Sequence, residues 1–180
     1  MSPRILIMAA SARSGSPETQ LAGEAMRRLA VTDAVLAQVH AADYPLPVFD
    51  GLEGDEAAPQ NARLLAGRLT LQDGLVLVTP ARCAGAPALL VNQLEWIAAS
   101  GGEAAFRRLV VALAVVGDPG DAALCAQELR TRLARLGASV VTPTFPVAAE
   151  DTTLDREADG ALDGWLDAFL DHARALGRHG

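Results

Sequence analysis

Short apolar runs alternate with amphipathic segments along the chain, and this alternation constrains the fold more than any other feature. Five runs read as buried strands, at residues 5–9, 34–39, 74–79, 109–116 and 139–142. Continuous apolar character is typical of strands covered on both faces of a parallel sheet. The pattern therefore predicts an α/β fold with helices on both faces, in a single domain over residues 1–180.

The segments between the strands carry apolar residues at helical spacing. The predicted buried faces are Leu21, Ala25, Met26 and Leu29; Leu89, Leu90, Leu94 and Ile97; Leu124, Leu129, Leu133 and Leu136; and Leu162, Trp165, Leu166, Phe169, Leu170 and Ala173. Each set forms a stripe along one side of a helix. Two stretches break every period, residues 44–59 and 143–153, and we expect the first to be a long loop that is functional or mobile.

Composition excludes several classes of partner. Fifteen basic and twenty-two acidic side chains give a net charge of −7 without any basic cluster, which disfavours nucleic acid and anionic membranes. The apolar runs are shorter than the roughly 20 residues of a membrane helix. Cys83 and Cys125 lie far apart and no secretory signal precedes them, so we expect free thiols in the cytoplasm. The scattered histidines match no metal-ligand spacing.

The stretch MAASARSGSPETQLA, residues 8–22, leads from the first strand into the first helix. Ser16 suits an N-cap and Pro17 suits the first helical position, so free N–H groups are predicted at the carboxyl end of a strand. With Arg13 and the hydroxyl groups of Ser11 and Ser14 they would bind a phosphomonoester. An ordinary capped helix explains the same residues. The spacing matches neither a dinucleotide fingerprint nor a P-loop.

Two motifs together resemble the NADPH-dependent FMN reductase family of flavodoxin-like proteins. The first is this loop, where the family has roughly G-S-x-R-x-x-S-x-N and the chain has residues 10–18, ASARSGSPE. The second is the family's T-P-E-Y-N followed by P-G-x-L-K-N-A-I-D-W, where the chain has TPARC at 79–83 and PALLVNQLEW at 87–96. The resemblance extends over residues 4–145 in the same order and spacing.

The resemblance implies a three-layer α/β/α sandwich with a five-stranded parallel sheet in the order 2-1-3-4-5. It also implies a flavin-dependent oxidoreductase that takes hydride from NADPH or NADH onto bound FMN and passes electrons to a quinone or a second flavin, in a ping-pong scheme without a catalytic acid or base. Family members are commonly homodimers or homotetramers, and the helix that contains Trp96 lies near their subunit interface.

The resemblance also implies which residues would hold FMN. Ser11, Arg13, Ser16 and Glu18 would surround the phosphate, and Pro80, Ala81, Arg82, Cys83 and Gly117 would surround the ring.

The chain departs from the family pattern in three places: at Glu18, at residues 81–83, where Ala81, Arg82 and Cys83 replace Glu-Tyr-Asn, and in the loop after the fourth strand. Glu18 replaces an asparagine, and a carboxylate about 5 Å from phosphate would cost about 3 kcal/mol per phosphate charge. It either complements the helix dipole in an empty site or points to solvent. Arg82 replaces a stacking tyrosine and either substitutes for it or is a surface residue. Cys83 is either a redox-active thiol beside the flavin or a small buried thiol, and we expect the second. Beyond Gly117 the loop is acidic and stiff, which disfavours close approach.

These departures leave two other functions open. One is a flavodoxin-like protein that has lost the cofactor and acts as a binding or interaction module. The other is a hydrolase or transferase that uses the helix-terminal anion site for a different phosphorylated ligand.

Overall fold

The computed structural model describes residues 2–51, 58–148 and 156–179, apart from the side chains of residues 101, 103 and 156–159. The strands in this part are β1 (Arg4–Ala9), β2 (Val35–His40), β3 (Gly74–Pro80), β4 (Val110–Val116), β5 (Ser139–Val140) and β6 (Phe145–Val147). The helices are α1 (Pro17–Leu29), α2 (Gln60–Thr70), α3 (Ala88–Phe106), α4 (Pro119–Arg135) and α5 (Arg156–Leu176). A short 3₁₀ helix covers Ala41–Asp43.

The strands form one parallel sheet in the order β2-β1-β3-β4-β5, which confirms the predicted topology. The predicted fifth strand at 139–142 is wrong in extent, because β5 ends at Val140 and a further strand, β6, pairs with the other end of β4. Proline lacks the N–H that a strand donates, and Pro143 lies in the gap between the two short strands. The stretch predicted to be irregular therefore contains a strand.

The core lies on both faces of the sheet, because alternate residues of each strand point in opposite directions. Ile5 and Ile7 of β1 pack in the cluster beneath α1 and α5, whereas Leu6 and Met8 pack in the cluster beneath α2, α3 and α4. All of the apolar residues predicted for the last helix are buried. Leu124, predicted to be buried, is 54% exposed, since it lies on the outer side of α4.

The predicted loop at 44–59 is irregular where the structure describes it, and its first half is anchored to α3. The amide of Asn92 donates to the carbonyl oxygen of Pro47 at 2.9 Å, and its oxygen accepts from the N–H of Phe49 at 2.8 Å. The indole of Trp96 also donates to Pro47, at 2.8 Å, and packs edge-on against Phe49. Trp96 is therefore a packing residue in this chain. Residues 52–57 lie outside the described part.

The chain leaves β1 toward β2 on one side and later returns to β3 on the other side. Ligands in open parallel sheets bind at such a reversal point, outside the carboxyl ends of the strands. The loops that follow β1, β3 and β4 meet at this edge. Within the described residues, every helix lacks the apolar stretch that a bilayer crossing requires.

Candidate functional site

The loop after β1 presents a row of backbone N–H groups at the start of α1. Ser16 is 1% exposed and caps the helix by accepting a hydrogen bond from the N–H of Thr19 at 3.3 Å, as predicted. Gly15 has φ +69°, a left-handed conformation that turns the loop into the helix. The following groups have no acceptor in the described part of the chain: the N–H of Ser11, Ala12, Ser14, Gly15, Ser16 and Glu18. Such a row at a helix N-terminus is suited to an anion.

The side chains of this loop divide between structure and solvent. The hydroxyl of Ser11 accepts from the N–H of Arg13 at 3.3 Å and so shapes the loop. Arg13 is exposed and forms no ion pair with a described residue. Its guanidinium is therefore available to a ligand at the same edge.

Glu18 is only 4% exposed, so the interpretation that it points to solvent is wrong. It lies in the first turn of α1 on the side that also buries Leu21 and Ala22. Its carboxylate accepts no hydrogen bond from any described residue. The remaining interpretation, a negative charge that complements the positive end of the helix, agrees with this position.

The loop after β3 contains a tight two-residue turn. Arg82 and Gly85 exchange backbone hydrogen bonds at 2.8 and 2.9 Å, and both residues between them have positive φ, 49° for Cys83 and 61° for Ala84. This is the pattern of a type I′ turn, which normally takes glycine or asparagine. Left-handed backbone costs of the order of 1–3 kcal/mol at such residues and is concentrated at functional sites. Arg82 and Cys83 are both exposed at the tip, so the prediction of a buried Cys83 is wrong.

The loop after β4 is short. Asp118 caps α4 by accepting from the N–H of Gly120 at 2.9 Å, and the helix begins at Pro119. Gly117 is thus the one residue between β4 and that cap. A Cβ on Gly117 would lie 3.0 Å from the Cβ of Ala81. The loop after β4 therefore packs tightly against the loop after β3.

Backbone hydrogen bonds hold the three loops side by side. The N–H of Ala10 donates to the carbonyl oxygen of Val78 at 2.8 Å, and the N–H of Ala81 donates to that of Val116 at 2.8 Å. The predicted phosphate residues and the predicted ring residues therefore lie at one edge of the sheet. Arg82, like Arg13, forms no ion pair with a described residue. Two unpaired cations thus lie at one edge of a chain whose net charge is −7.

Glu128 of α4 supports the turn after β3, and the sequence analysis missed it. Its carboxylate accepts from the N–H of Ala86 at 2.9 Å, and Arg132 holds it from the other side at 3.3 Å. A side chain at Gly85 would meet the same oxygen at 2.9 Å. Glu128 lies more than forty positions from Ala86, and no local pattern marks it.

The two thiols have different environments. Burial raises the pKa of Cys125 to about 11, and the negative charge of Glu128 adds to the shift. Cys83 is free and exposed at the turn.

The chain resembles known proteins in family and in fold. The family model for NADPH-dependent FMN reductase matches residues 3–152. A search of curated proteins finds no relative.

Solved structures with the same fold include flavin enzymes and a flavodoxin. An NADH:FMN oxidoreductase (EMOB), in its apo form, has a TM-score of 0.78 at 20% identity and covers 98% of this chain and 91% of its own. The flavoenzyme FerB, an NAD(P)H:(acceptor) oxidoreductase from Paracoccus denitrificans, has a TM-score of 0.75 at 21% identity. The match covers 97% of this chain and 99% of FerB. Flavodoxin 1 from Bacillus cereus has a TM-score of 0.65 at 17% identity, and the match covers 94% of this chain and 98% of the flavodoxin. The fold and the family match agree, and the chain belongs to the NADPH-dependent FMN reductase family.

Proposed function

We propose that the protein is a flavin-dependent NAD(P)H oxidoreductase that binds FMN at the edge formed by the loops after β1, β3 and β4. The observation that carries the proposal is the row of unpaired N–H groups from Ser11 to Glu18 beside two unpaired arginines. Backbone donors at a helix N-terminus bind a phosphate group without a specific side chain. The family match supplies the flavin.

The residues at the two ends of the site would do different work. The N–H groups of the first loop, with Arg13 and the hydroxyl groups of Ser11 and Ser16, would hold the phosphate. Pro80 and Ala81, fixed by the hydrogen bond to Val116, would form a rigid wall beside the ring.

The open end of the site would receive the nicotinamide substrate and the electron acceptor. Bound FMN would supply the chemistry, a two-electron carrier between reduced nicotinamide and a quinone or a free flavin. The chain's own part is to orient both partners on one face of the ring. The guanidinium of Arg82, exposed at the turn, would bind a phosphate of NADPH or lie flat against an aromatic ring. Gly117 would leave room for close approach, because it has no side chain.

A titration that compares FMN with riboflavin tests the phosphate cradle directly. We expect FMN to bind more tightly than riboflavin, and salt to weaken FMN binding more than riboflavin binding. Arg13→Ala should weaken FMN binding about tenfold and leave riboflavin binding unchanged, because a hydrogen bond to a charged group contributes about 1.5–3 kcal/mol. Arg174→Ala, on a remote helix, is the matched control. Equal affinities for the two flavins in all three proteins would refute the cradle.

Hydride transfer needs its own measurement. The protein loaded with FMN should lose its oxidised flavin absorbance when NADPH or NADH is added without oxygen, and a quinone should restore it. If FMN binds but neither nucleotide reduces it, the proposed binding site stands and the proposed oxidoreductase activity is refuted.

A second candidate is a flavodoxin-like protein that binds no cofactor and acts as an interaction module. Glu18 favours it, because this residue is only 4% exposed and places a negative charge in the turn where a phosphate would lie. Glu18→Gln has the same shape without the charge. If the carboxylate opposes phosphate, this variant should bind FMN up to about a hundredfold more tightly, with riboflavin unaffected. Absence of saturable flavin binding in both the parent and this variant would favour the interaction module.

We also propose a homo-oligomer in the cytoplasm. The two free cysteines suit a reducing compartment, and Leu124 lies 54% exposed on α4. Light scattering coupled to size-exclusion chromatography gives the mass directly, and Leu124→Glu should lower it if α4 lies in the interface. A monomer at all concentrations would refute the assembly.

A further inference from the structure

A cavity lies between α4 and the outer edge of the sheet, next to the loop after β4. Its volume is about 700 Å³, within the roughly 300–1,000 Å³ of most ligand sites. One wall is the small-residue side of α4, with Ala122, Ala123 and Ala126. The opposite wall is the segment between β5 and β6, with Pro143 and Pro146 among its lining residues.

The cavity is a consequence of the interrupted fifth strand. The N–H of Val141 still donates to the carbonyl oxygen of Val111 in β4 at 2.8 Å. Beyond Val141 the chain leaves β4, and it pairs with β4 again at Phe145. Trp165 fixes the departing segment, because its indole N–H donates to the carbonyl oxygen of Pro143 at 3.0 Å. A continuous strand would place other side chains against α4. One wall of the cavity is thus backbone that this hydrogen bond holds in place.

Arg130 is the charged residue in the lining of this cavity. Its Nη2 donates to the hydroxyl of Thr144 at 3.0 Å, which fixes the guanidinium against the cavity wall. Its Nε is buried without an acceptor, and it forms no ion pair with a described residue. Nη1 has no partner among the described residues and is accessible from outside the protein, so a ligand can reach it.

The rest of the lining contains no carboxylate, within the described residues. Asp118, next to the lining residue Pro119, directs its carboxylate to the N–H of Gly120 in its own helix cap. The hydroxyl of Thr142 has no hydrogen-bond partner among the described residues and adds a polar group to the wall. The site therefore combines one unneutralised cation with alanine and proline surfaces.

We propose that this cavity binds a small organic anion, a carboxylate or sulfonate on a compact apolar body. The anionic group would accept from the terminal nitrogens of Arg130, and the apolar body would lie against the alanines of α4. A neutral ligand would leave the guanidinium unpaired, and a strongly hydrated inorganic anion would not use the apolar walls. The proposal does not depend on the flavin, because the lining shares no residue with the three loops.

Calorimetric titration with 2-naphthoate, and with uncharged 2-naphthol as its counterpart, tests the proposal. We expect saturable binding of the naphthoate that is about tenfold tighter than that of the naphthol. Arg130→Met should remove this preference, and Arg130→Lys should retain part of it. The matched control is Arg135→Met, on the same helix but lining the neighbouring cavity between α3 and α4.

A blocking variant separates loss of charge from loss of the site. Ala123 is exposed and lines the cavity, so Ala123→Leu would fill the space with little effect on folding. It should weaken both ligands, whereas Arg130→Met should weaken only the anion. Naphthoate affinity unchanged in Arg130→Met and in Ala123→Leu would overturn the proposal. Loss of binding only in Arg135→Met would also overturn it and would assign the ligand to the neighbouring cavity.

Discussion

Arg178 follows α5 and holds this segment against the edge of the sheet opposite the candidate site. Its guanidinium donates to five backbone carbonyl oxygens, those of Leu69, Gln72, Ala104, Ala105 and Arg107, at 2.5–2.9 Å. These carbonyls lie at or just beyond the carboxyl ends of α2 and α3, where the regular helical hydrogen bonds run out. The carbonyl oxygen of Leu69 also accepts from the N–H groups of Leu71 and Gln72. One cation therefore caps two helices and also complements their dipoles. Arg178→Ala should destabilise the protein strongly.

The magnitude follows from which bonds are shielded from water. The carbonyls of Leu69, Gln72 and Ala105 are bonded in partly buried surroundings, and the other two are exposed. At about 1 kcal/mol for each shielded bond, with a few tenths more from each dipole, the loss is about 3–4 kcal/mol. For a domain of this size that corresponds to a fall in Tm of about 10 °C.

Thermal unfolding followed by circular dichroism measures this loss, with Arg174→Ala as the control. Arg174 pairs with Asp33 and Asp171 on the exposed side of α5, so its removal should cost at most about 1 kcal/mol. Arg178→Lys should be intermediate, because lysine keeps the charge but cannot present a planar fork. If Arg178→Ala melts within a degree or two of Arg174→Ala, the capping argument is wrong.

Three further predictions rest on single contacts. Burial would raise the pKa of Asp73, but hydrogen bonds from the backbone N–H groups of Arg4 and His179 and from the His179 ring outweigh it and lower the pKa. Asp73→Asn should therefore lower the free energy of unfolding at pH values above 3.8, the ordinary pKa of an aspartate. In acid unfolding, the difference in stability between this variant and the parent should vanish as the pH falls through the lowered pKa of Asp73 in the folded protein. Glu128→Ala should weaken flavin binding more than Glu128→Gln does, since glutamine still accepts from the N–H after the turn; equal effects in the titration would contradict this positioning role. A disulfide thiol reagent at mildly alkaline pH should modify one thiol per folded chain, since the pKa of the buried Cys125 is about 11, and both after denaturation.

The sequence predicted the sheet well because strand burial is a local property of composition. Four of the five predicted strands match to within one residue at each end, for example Val110–Val116 against the predicted 109–116. The fifth failed because apolar character alone does not show where a proline interrupts the pairing. The prediction that Leu124 is buried was wrong because helical spacing defines a stripe of apolar residues but does not show which residue at the border of that stripe faces outward.

The candidate site was predictable in position but not in detail. The motifs placed both loops at the correct edge, since topology brings the carboxyl ends of β1 and β3 together. The exposure of Cys83 depends on two successive left-handed residues, which no turn residue such as asparagine marked in advance. The role of Glu128 depends on α4 lying beside the turn after β3, and this is a tertiary relation.

The geometry also shows which departures from the family pattern carry information about function. Most donors in the first loop are backbone N–H groups, and a substitution changes their side chains without removing them. The second loop is likewise fixed by backbone hydrogen bonds, so loss of the family's tyrosine and asparagine leaves its path intact. Glu18 is different, because it adds a negative charge at the start of α1 instead of removing a contact. We therefore expect retention of the cofactor to depend chiefly on this carboxylate, and the comparison of FMN with riboflavin in Glu18→Gln measures its effect.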